Sequence, residues 1–285
     1  MKIIKTIEEL QQHLKTQELI EFIPTMGNLH KGHLSLVRKA QTFGKYTVVS
    51  IFVNDLQFGP NEDLKTYPRT LAEDIKKLES IGVDVLFCPT TNEMIPTNQS
   101  DLTFIKIPKV SELHCGGSRP IFFQGICTII IKLINIIKPT RIYLGEKDWQ
   151  QSIIIKKLFH DLNVGVEVIT APIVREASGL ACSSRNNKLD NKSLEQAALL
   201  YKELEFAAKN IKHNNKIETL EKAKKSLSDK GLKVDYINLI DADTLYEVSS
   251  DTKEIRILAA AYLDQVRLID NISVSIGDYL QSETT

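Results

Sequence analysis

The feature that most constrains the fold of this chain is a regular alternation of strand-like and helix-like periodicity over residues 1–175. Short runs rich in β-branched residues, such as Thr47–Val53, are typical of strands that a parallel sheet buries on both faces. Segments with apolar residues at helical spacing, such as His33–Phe43, lie between them. This order predicts an α/β fold, a Rossmann-like parallel sheet with helices on both faces.

Capping patterns predict where several helices of this region begin and end. Thr6 with Glu9, and Thr70 with Glu73, have the spacing of capping boxes. Gly82 is a suitable residue to end the second of these helices. The predicted strands are Leu19–Pro24, Thr47–Val53, Val83–Phe87, Arg141–Leu144 and Val166–Thr170.

From Asp190 onward the regular alternation of strands and helices ends. Two polar helices rich in Lys and Glu are predicted there, followed by three strand-like runs, which indicates a smaller α+β domain. These elements are predicted at Ser193–Ile211, Ile217–Lys230, Val234–Ile240, Glu254–Leu263 and Val266–Ile272. We therefore predict two domains, residues 1–177 and residues 178–285.

Composition limits the class of protein. In 285 residues, 36 Lys and Arg balance 36 Asp and Glu, a formal net charge of +0. This balance argues against a broad surface for nucleic acid or for anionic membranes. No continuous apolar core follows Met1, so we expect no signal peptide. The four cysteines form no C-x-x-C pair, which is typical of reduced thiols in a cytoplasmic protein.

The most apolar stretch is Phe123–Ile137. It is rich in Ile like a strand but too long for one, so we predict a buried helix that ends before Pro139. Lys132 and Asn135 interrupt it, and it is shorter than the roughly 20 residues that cross a bilayer. We expect no membrane-spanning segment.

Unusual polar residues are concentrated in loops after the strands, where α/β sheets bind ligands. The loop Pro24–His33 joins a strand to a helix, so its unpaired backbone N–H groups and the helix dipole suit an anion. Gly27 and Gly32 would let a phosphate approach the backbone. His30 and His33 could donate hydrogen bonds to that anion. A metal pair, which needs at least one more ligand, and two surface histidines are the alternatives.

A second loop, Gly145–Gln151, places Lys147 beside Asp148 at a predicted helix start. Lysine and carboxylate together suit a phosphate and a ribose hydroxyl. Asp148 could equally be a helix N-cap. Gln151 lies three residues from Asp148 and four from Lys147, so the three side chains can project into one pocket.

Two more loops carry polar groups. Gly179–Asn186 contains two serines followed by Arg185, which can clamp a phosphate, although a polar linker is the simpler interpretation of this segment alone. Asn54 and Gln57 lie just past a strand and offer neutral donors and acceptors for hydroxyl or carboxylate groups. An ordinary turn explains Asn54 better than it explains Gln57.

Taken in order, these segments resemble the pantothenate synthetase (pantoate–β-alanine ligase) family of adenylate-forming nucleotidyltransferases. The resemblance covers the N-terminal two thirds of the chain, and no motif beyond Asn186 contributes to it. The motifs are P-T-M-G-x-L-H-x-G-H from Pro24, V-N-x-x-Q-F from Val53, Y-P-R-T from Tyr67, G-x-x-R-P from Gly116, G-E-K-D-x-Q-Q from Gly145 and S-S-R-N from Ser183.

The resemblance implies an ATP-dependent condensation of pantoate with β-alanine. The products would be pantothenate, AMP and pyrophosphate, formed through an enzyme-bound pantoyl adenylate. ATP with Mg²⁺ would be a substrate, and no organic prosthetic group is implied. The family also implies a homodimer, and the composition and cysteines lead us to expect a cytoplasmic protein without nucleic-acid or membrane partners. Residues 1–177 would bind ATP and pantoate, and residues 178–285 would act as a lid.

Position by position, the resemblance implies that His33, His30 and Lys147 are catalytic. Gln57 and Gln151 would bind pantoate, and Gln57 would also bind β-alanine. Metal ligands stay open. The residues implied to bind ATP are Met26, Gly27, Asn28, Leu29, His30, Lys31, Gly32, His33, Gly145, Glu146, Lys147, Asp148, Val174, Cys182, Ser183, Ser184 and Arg185.

Three positions depart from the family pattern: Asn28 replaces Ala, Asp55 replaces Pro, and Phe122 replaces His. Phenylalanine has no side-chain donor or acceptor, so it cannot make the hydrogen bonds of that histidine. Two alternatives to a ligase remain at this stage. One is a related nucleotidylyltransferase that transfers AMP to a phosphate-bearing acceptor, and the other is a non-catalytic module that binds adenine nucleotides.

Overall fold

The computed structural model describes residues 1–44, 46–60, 62–95, 98 and 101–280. Internal contacts divide the chain into two compact units. The first, here called the sheet unit, comprises Met1–Glu112, Gly116–Glu146 and Ile154–Pro172. The second, here called the C-terminal unit, consists of the chain from Ile173 onward together with Leu113–Cys115 and Lys147–Ile153.

In the described residues, the sheet unit contains one sheet of six parallel strands in the order β1-β4-β3-β2-β5-β6. The sequence predicts five of these strands to within two residues at either end. It misses β1, because a strand of three residues is too short to show alternation. The bounds are β1 (Lys2–Ile4), β2 (Ile20–Thr25), β3 (Tyr46–Ile51), β4 (Val85–Phe87), β5 (Arg141–Gly145) and β6 (Glu167–Ala171).

The strand order reverses between β2 and β5. From β2 the chain continues outward through β3 and β4, whereas β5 and β6 extend the sheet on the other side. Parallel α/β sheets bind ligands beyond the carboxyl ends of their strands at such a switch point. The segments that leave those two ends, after Thr25 and after Gly145, are the ones that the motifs single out.

Helices of the sheet unit begin and end for local reasons. As predicted, Thr6 caps the first helix by accepting a hydrogen bond from the backbone N–H of Glu9 at 3.3 Å. The predicted cap at Thr70 is wrong, because its hydroxyl instead donates to the carboxylate of Asp74 at 3.1 Å. The helices are α1 (Ile7–Leu14), α2 (Lys31–Phe43), α3 (Leu71–Ser80), α4 (Thr91–Met94) and α6 (Phe122–Ile137), while α5 (Cys115–Ser118) and α7 (Trp149–Asp161) are divided between the units.

The core of the sheet unit fixes the position of α2 and α3. Ile23, Val49 and Leu86 on three neighbouring strands are fully buried and belong to one cluster with Val37 of α2 and Leu78 of α3. Each such side chain stabilises the fold by about 1.5–3 kcal/mol relative to exposure. Apolar packing therefore holds α2, which carries the end of the first motif, and α3, which begins directly after Y-P-R-T.

The C-terminal unit contains an antiparallel sheet in the order β7-β8-β9. Together with the parallel sheet, it confirms the predicted fold class. One predicted helix, Ser193–Ile211, is interrupted at Ala198, whose dihedral angles stay nearly helical so that the apolar periodicity runs through the break. The elements are α8 (Asn191–Ala197), α9 (Leu199–Asn210), α10 (Lys216–Asp229), β7 (Lys233–Asp241), β8 (Ile255–Leu263), β9 (Val266–Val274) and α11 (Ile276–Leu280). Over the part of the chain that the structure describes, no helix is long and apolar enough to cross a membrane.

Candidate active site

The predicted site residues fall into two groups, one in each unit. Met26–His33, Gln57, Gly145 and Glu146 belong to the sheet unit. The C-terminal unit contains the others, which are Lys147, Asp148, Gln151, Val174, Cys182, Ser183, Ser184 and Arg185. Each group is described within its own unit.

The loop between β2 and α2 makes a tight left-handed turn. Gly27 has a φ of +83° and Asn28 a φ of +49°. Glycine adopts this region freely, and asparagine tolerates it better than most other residues, whereas alanine does not favour it. The replacement of the family's Ala by Asn28 is therefore favourable for this backbone conformation.

The rings of His30 and His33 both accept backbone hydrogen bonds at the start of α2. The Nδ1 atom of His30 accepts from the backbone N–H of Gly32 at 3.2 Å, and the Nδ1 atom of His33 accepts from the backbone N–H of His30 at 3.4 Å. This reciprocal arrangement is a capping box made of two histidines, with ring centroids 4.0 Å apart. Because a nitrogen that accepts carries no proton, each neutral ring has its proton on Nε2. Both imidazoles can therefore donate from Nε2, as the anion interpretation requires.

The backbone N–H groups of the same loop already have an acceptor inside the protein. Asn28 donates to Oδ2 of Asp74 at 2.9 Å, and Leu29 donates to Oδ1 of Asp74 at 2.8 Å. The prediction that unpaired backbone N–H groups of this loop bind an anion is therefore wrong for these two residues. It failed because Asp74 lies 46 and 45 positions away in the sequence and belongs to α3.

Gln57 lies in a 3₁₀ turn, Asp55–Gln57, and is mostly buried. Asn54 determines the orientation of its side-chain amide. The Nδ2 atom of Asn54 donates to Oε1 of Gln57 at 2.9 Å and to the carbonyl of Gly125 at 3.1 Å, while its Oδ1 accepts from the backbone N–H of Leu56 at 3.2 Å. Since the backbone partners of Asn54 fix its own orientation, Gln57 has to turn its acceptor towards Asn54. Its Nε2 group is then the side available to donate to a ligand oxygen.

Phe122 stands where the family has histidine, and it packs against Arg119. The guanidinium carbon of Arg119 lies 3.5 Å from the centroid of the Phe122 ring, within the range of a cation–π interaction. Nε of Arg119 donates to both carboxylate oxygens of Glu62 at 3.0 Å, and its Nη2 donates to the carbonyl of Gln57 at 3.4 Å. The aromatic ring thus supports the arginine that contacts the backbone of Gln57.

In the C-terminal unit, β9 holds the segment that carries Lys147. Nδ2 of Asn271 donates to the backbone carbonyl of Lys147 at 3.0 Å, and Oδ1 of Asn271 accepts from the guanidinium of Arg256. That guanidinium in turn stacks 3.6 Å from the ring of Trp149, two residues after Lys147. The Nζ atom of Lys147 lies 3.9 Å from Oδ1 of Asp148.

The segment 174–182 is an ordered hairpin. The N–H of Cys182 donates to the carbonyl of Val174 at 2.9 Å, and Gly179 closes the turn with a φ of +93°. Arg175 fastens this hairpin to β9 through two hydrogen bonds to the carboxylate of Asp270, at 2.6 and 2.9 Å. Adjacent residues of β9 therefore hold both predicted nucleotide-binding segments of this unit.

The hairpin leads directly into the serines and Arg185. Oγ of Ser183 accepts from the backbone N–H of Arg185 at 3.2 Å and caps the 3₁₀ helix Ser184–Lys188. The thiol of Cys182 donates to the carboxylate of Glu176 at 3.2 Å. These local hydrogen bonds give the segment a defined turn. It lies inside the C-terminal unit, so it is not a linker between the units.

Sequence reasoning missed the side chains that support these groups: Asp74, Arg256, Asp270 and Asn271. For Asp74 the sequence did hold a signal, since it follows Thr70 of the Y-P-R-T motif by one helical turn. The three residues of β8 and β9 lie outside every motif. The contact of Asp270 with Arg175 spans 95 positions of sequence, and that of Asn271 with Lys147 spans 124.

Comparison with known proteins gives a consistent family assignment. The sequence model described as "Pantoate-beta-alanine ligase" matches residues 2–273. Pantothenate synthetase of Thermosipho africanus is 43% identical over 280 residues, covering 96% of this chain and 100% of that protein. The enzyme of the same name from Acetivibrio thermocellus is 44% identical over 286 residues, covering 97% and 100%.

Solved structures agree with the sequence relatives. The crystal structure of pantothenate synthetase from Thermus thermophilus superposes with a TM-score of 0.89 at 36% identity, covering 95% of this chain and 99% of that one. A pantoate-beta-alanine ligase from Francisella tularensis, complexed with beta-gamma ATP and beta-alanine, superposes with a TM-score of 0.83 at 36% identity, covering 96% and 97%.

Proposed function

This chain belongs to the pantoate–β-alanine ligase family, and we propose on that basis that it condenses pantoate with β-alanine at the expense of ATP. The structural observation that supports the proposal most directly is the His30–His33 pair at the start of α2. Two imidazoles that both donate from Nε2 can stabilise charge on a phosphate without acting as nucleophiles.

The first step would join pantoate to AMP. An oxygen of the pantoate carboxylate attacks the α-phosphorus of ATP, a new O–P bond forms, and the bond to the β-phosphate breaks to release pyrophosphate. Two anions have to approach each other in this step, so hydrogen-bond donors placed around the phosphate lower the barrier. In our proposal His30, His33 and Lys147 are these catalytic donors.

ATP would be bound by the loop Met26–His33, by Gly145–Asp148, by Val174 and by Cys182–Arg185. Lys147 would contact phosphate and Asp148 a ribose hydroxyl, and Arg185 with Ser183 and Ser184 would contact the phosphates. The loop Met26–His33 would bind ATP through its two histidines and by packing. The backbone N–H groups of Asn28 and Leu29 already donate to Asp74.

The second step would release AMP. The amine of β-alanine attacks the acyl carbon of the pantoyl adenylate, loses a proton, and displaces AMP to leave the amide bond of pantothenate. Gln57 and Gln151 would bind pantoate, and Gln57 would also bind β-alanine. The donor face of Gln57 matches this role, since a hydroxyl or carboxylate oxygen needs a donor.

Four further properties belong to the proposal. Mg²⁺ would enter with the ATP phosphates as part of the substrate. The described residues contain no group of three His, Cys, Asp or Glu side chains that could hold a metal ion, so we assign it no protein ligands.

Residues 1–177 would carry substrate binding and residues 178–285 would serve as the lid. We also propose a cytoplasmic homodimer, whose size light scattering after gel filtration would measure.

Exchange of labelled pyrophosphate into ATP tests the proposed order of steps. Pantoate alone should support the exchange, because adenylation does not involve β-alanine. AMP release should require pantoate, β-alanine and Mg-ATP together. Exchange that strictly needs β-alanine would exclude the adenylate route, and AMP retained on a product would identify the nucleotidylyltransferase alternative.

The histidine pair has a matched control in His160, a histidine that is 89% exposed. His33→Ala should lower kcat by about a hundredfold or more, the usual cost of removing one donor from a transition state. His160→Ala should keep wild-type kinetics. A His33→Ala variant with full kcat and only a raised KM for ATP would show that His33 binds substrate and transition state equally.

A further inference from the structure

Asp74 is a fully buried carboxylate with its hydrogen bonds directed at the loop before α2. Its side chain is 0% exposed, and it accepts from the backbone N–H groups of Asn28 and Leu29 and from the hydroxyl of Thr70. Burying a carboxylate is costly unless it is paired or well hydrogen-bonded. Here two of the compensating donors come from the main chain of a loop 45 or 46 positions away.

Lys77 holds the same loop from the next turn of α3. Its Nζ donates to the backbone carbonyl of Leu29 at 2.8 Å. Both main-chain groups of Leu29 are therefore bound from α3, the N–H by Asp74 and the carbonyl by Lys77. Leu29 directly precedes His30, the N-cap of α2, so these two hydrogen bonds help to position the start of that helix.

The loop conformation that Asp74 holds is left-handed at two successive residues. Gly27 and Asn28 both have positive φ values, +83° and +49°. In this turn the neighbouring N–H groups of Asn28 and Leu29 both point at one carboxylate, and backbone N–H groups that converge in turns bind anions in many proteins. In this protein the anion at that point is the carboxylate of Asp74.

We propose that Asp74 is a positioning residue for the His30–His33 pair. By holding the main chain of Asn28 and Leu29, it places the backbone N–H of His30 where Nδ1 of His33 accepts it, and so keeps both imidazoles protonated on Nε2. The inference deepens the proposed function, because those Nε2 donors are the groups assigned to the phosphate.

The experiment compares Asp74→Asn with a matched carboxylate in the same unit. Asparagine keeps the volume but replaces one acceptor oxygen by an NH₂ group, which cannot accept from the loop. The control is Asp84→Asn. Asp84 also accepts from a backbone N–H and a threonine hydroxyl, both of Thr47, at 2.7 and 2.9 Å. Those bonds are made at the beginning of β3, whereas the loop follows the end of β2.

Imidazole nitrogen shifts measured by NMR give a readout that does not depend on activity. In the wild type, His30 and His33 should show the Nε2-protonated tautomer, with resonances assigned from His30→Ala and His33→Ala. Asp74→Asn should move both sets of shifts, and Asp84→Asn should leave them unchanged. Unchanged shifts in Asp74→Asn would overturn the inference, even if the wild type proved inactive in the ligase assay.

Kinetics then test whether Asp74 acts through the histidines. Asp74→Asn should lower kcat about tenfold or more, with a smaller change in the KM for ATP, because displaced catalytic groups cost more in the transition state than in binding. In a His33→Ala background the same substitution should cost less than about twofold, since groups that act as one unit are not additive. An equal loss in both backgrounds would show that Asp74 acts independently of the pair. Wild-type activity measured beside these variants tests the proposed function separately.

Discussion

Single side chains in this protein owe their chemistry to partners that fix their orientation. Gln57 is a clear case, because the backbone contacts of Asn54 force its acceptor inward. Arg119 is another, since its guanidinium group packs on the ring of Phe122 and donates to the carbonyl of Gln57. The ring of Phe122 thus keeps that arginine in contact with the backbone of Gln57.

Gln57→Glu reverses the polarity that Asn54 imposes. The new carboxylate keeps its oxygen towards Asn54 and presents a second oxygen where Nε2 was, so it should repel a ligand oxygen. We expect calorimetry to show that pantoate binds at least about tenfold more weakly, which corresponds to about 1.4 kcal/mol. Gln41→Glu is the control, since Gln41 also donates from Nε2, to the carbonyl of Ile81 at 2.7 Å, on an exposed surface. Equal pantoate affinity for both variants would remove Gln57 from the pantoate site.

At the scale of elements, regular helices and strands followed from the sequence, and the contacts between distant elements did not. The bounds of α6 agree with the prediction to one residue, because its Ile-rich run of 16 residues and the proline after it act locally. The cap predicted at Thr70 failed because its hydroxyl donates to Asp74, one turn further along the same helix. The motif side chains of the site were visible for the same local reason, while Asp74 and Asn271 act across 46 and 124 positions.

Asn271 shows how one strand can affect a turn elsewhere in its unit. Asn271→Leu would leave the carbonyl of Lys147 and a donor of Arg256 without this partner, which costs about 1–3 kcal/mol for buried groups. We expect a lower melting temperature and a raised KM for ATP, measured by thermal unfolding and steady-state kinetics. Ser273→Ala, an exposed change on the same strand, should alter neither quantity. An unchanged KM in Asn271→Leu would show that Lys147 does not depend on this contact.

At the scale of the whole molecule, stability should depend on pH in part through the half-buried His114. Nε2 of His114 lies 2.9 Å from the carbonyl of Leu245, and its Nδ1 lies 3.0 Å from the amide nitrogen of Asn238. This pairing suits the neutral ring, which donates at Nε2 and accepts at Nδ1. The ring of Tyr236 packs beside it at 5.8 Å between centroids. Burial lowers the pKa of His114, and the hydrogen bond to Leu245 offsets part of that effect.

A lowered pKa means that the unfolded chain binds more protons than the folded one. The free energy of unfolding should therefore fall as the pH drops below about 6.5, the pKa of an unperturbed histidine, with a slope of at most about 1.4 kcal/mol per pH unit from this group. Denaturant titrations of the wild type and of His114→Gln, carried out on both sides of that pH, measure it. The variant should lose part of the pH dependence, whereas the exposed His160→Gln should keep it. An identical slope in His114→Gln would assign the dependence to other groups.

The carboxylate of Asp74 has a consequence for small molecules aimed at this protein. Phosphates and carboxylates commonly bind the backbone N–H groups at the start of a helix. At Asn28 and Leu29 such a group would meet a negative charge that is already seated there, and would be repelled. A compound designed for this loop should instead offer acceptors to the Nε2 groups of His30 and His33. That requirement differs from the one set by loops with open backbone donors, and it provides a chemical basis for selectivity.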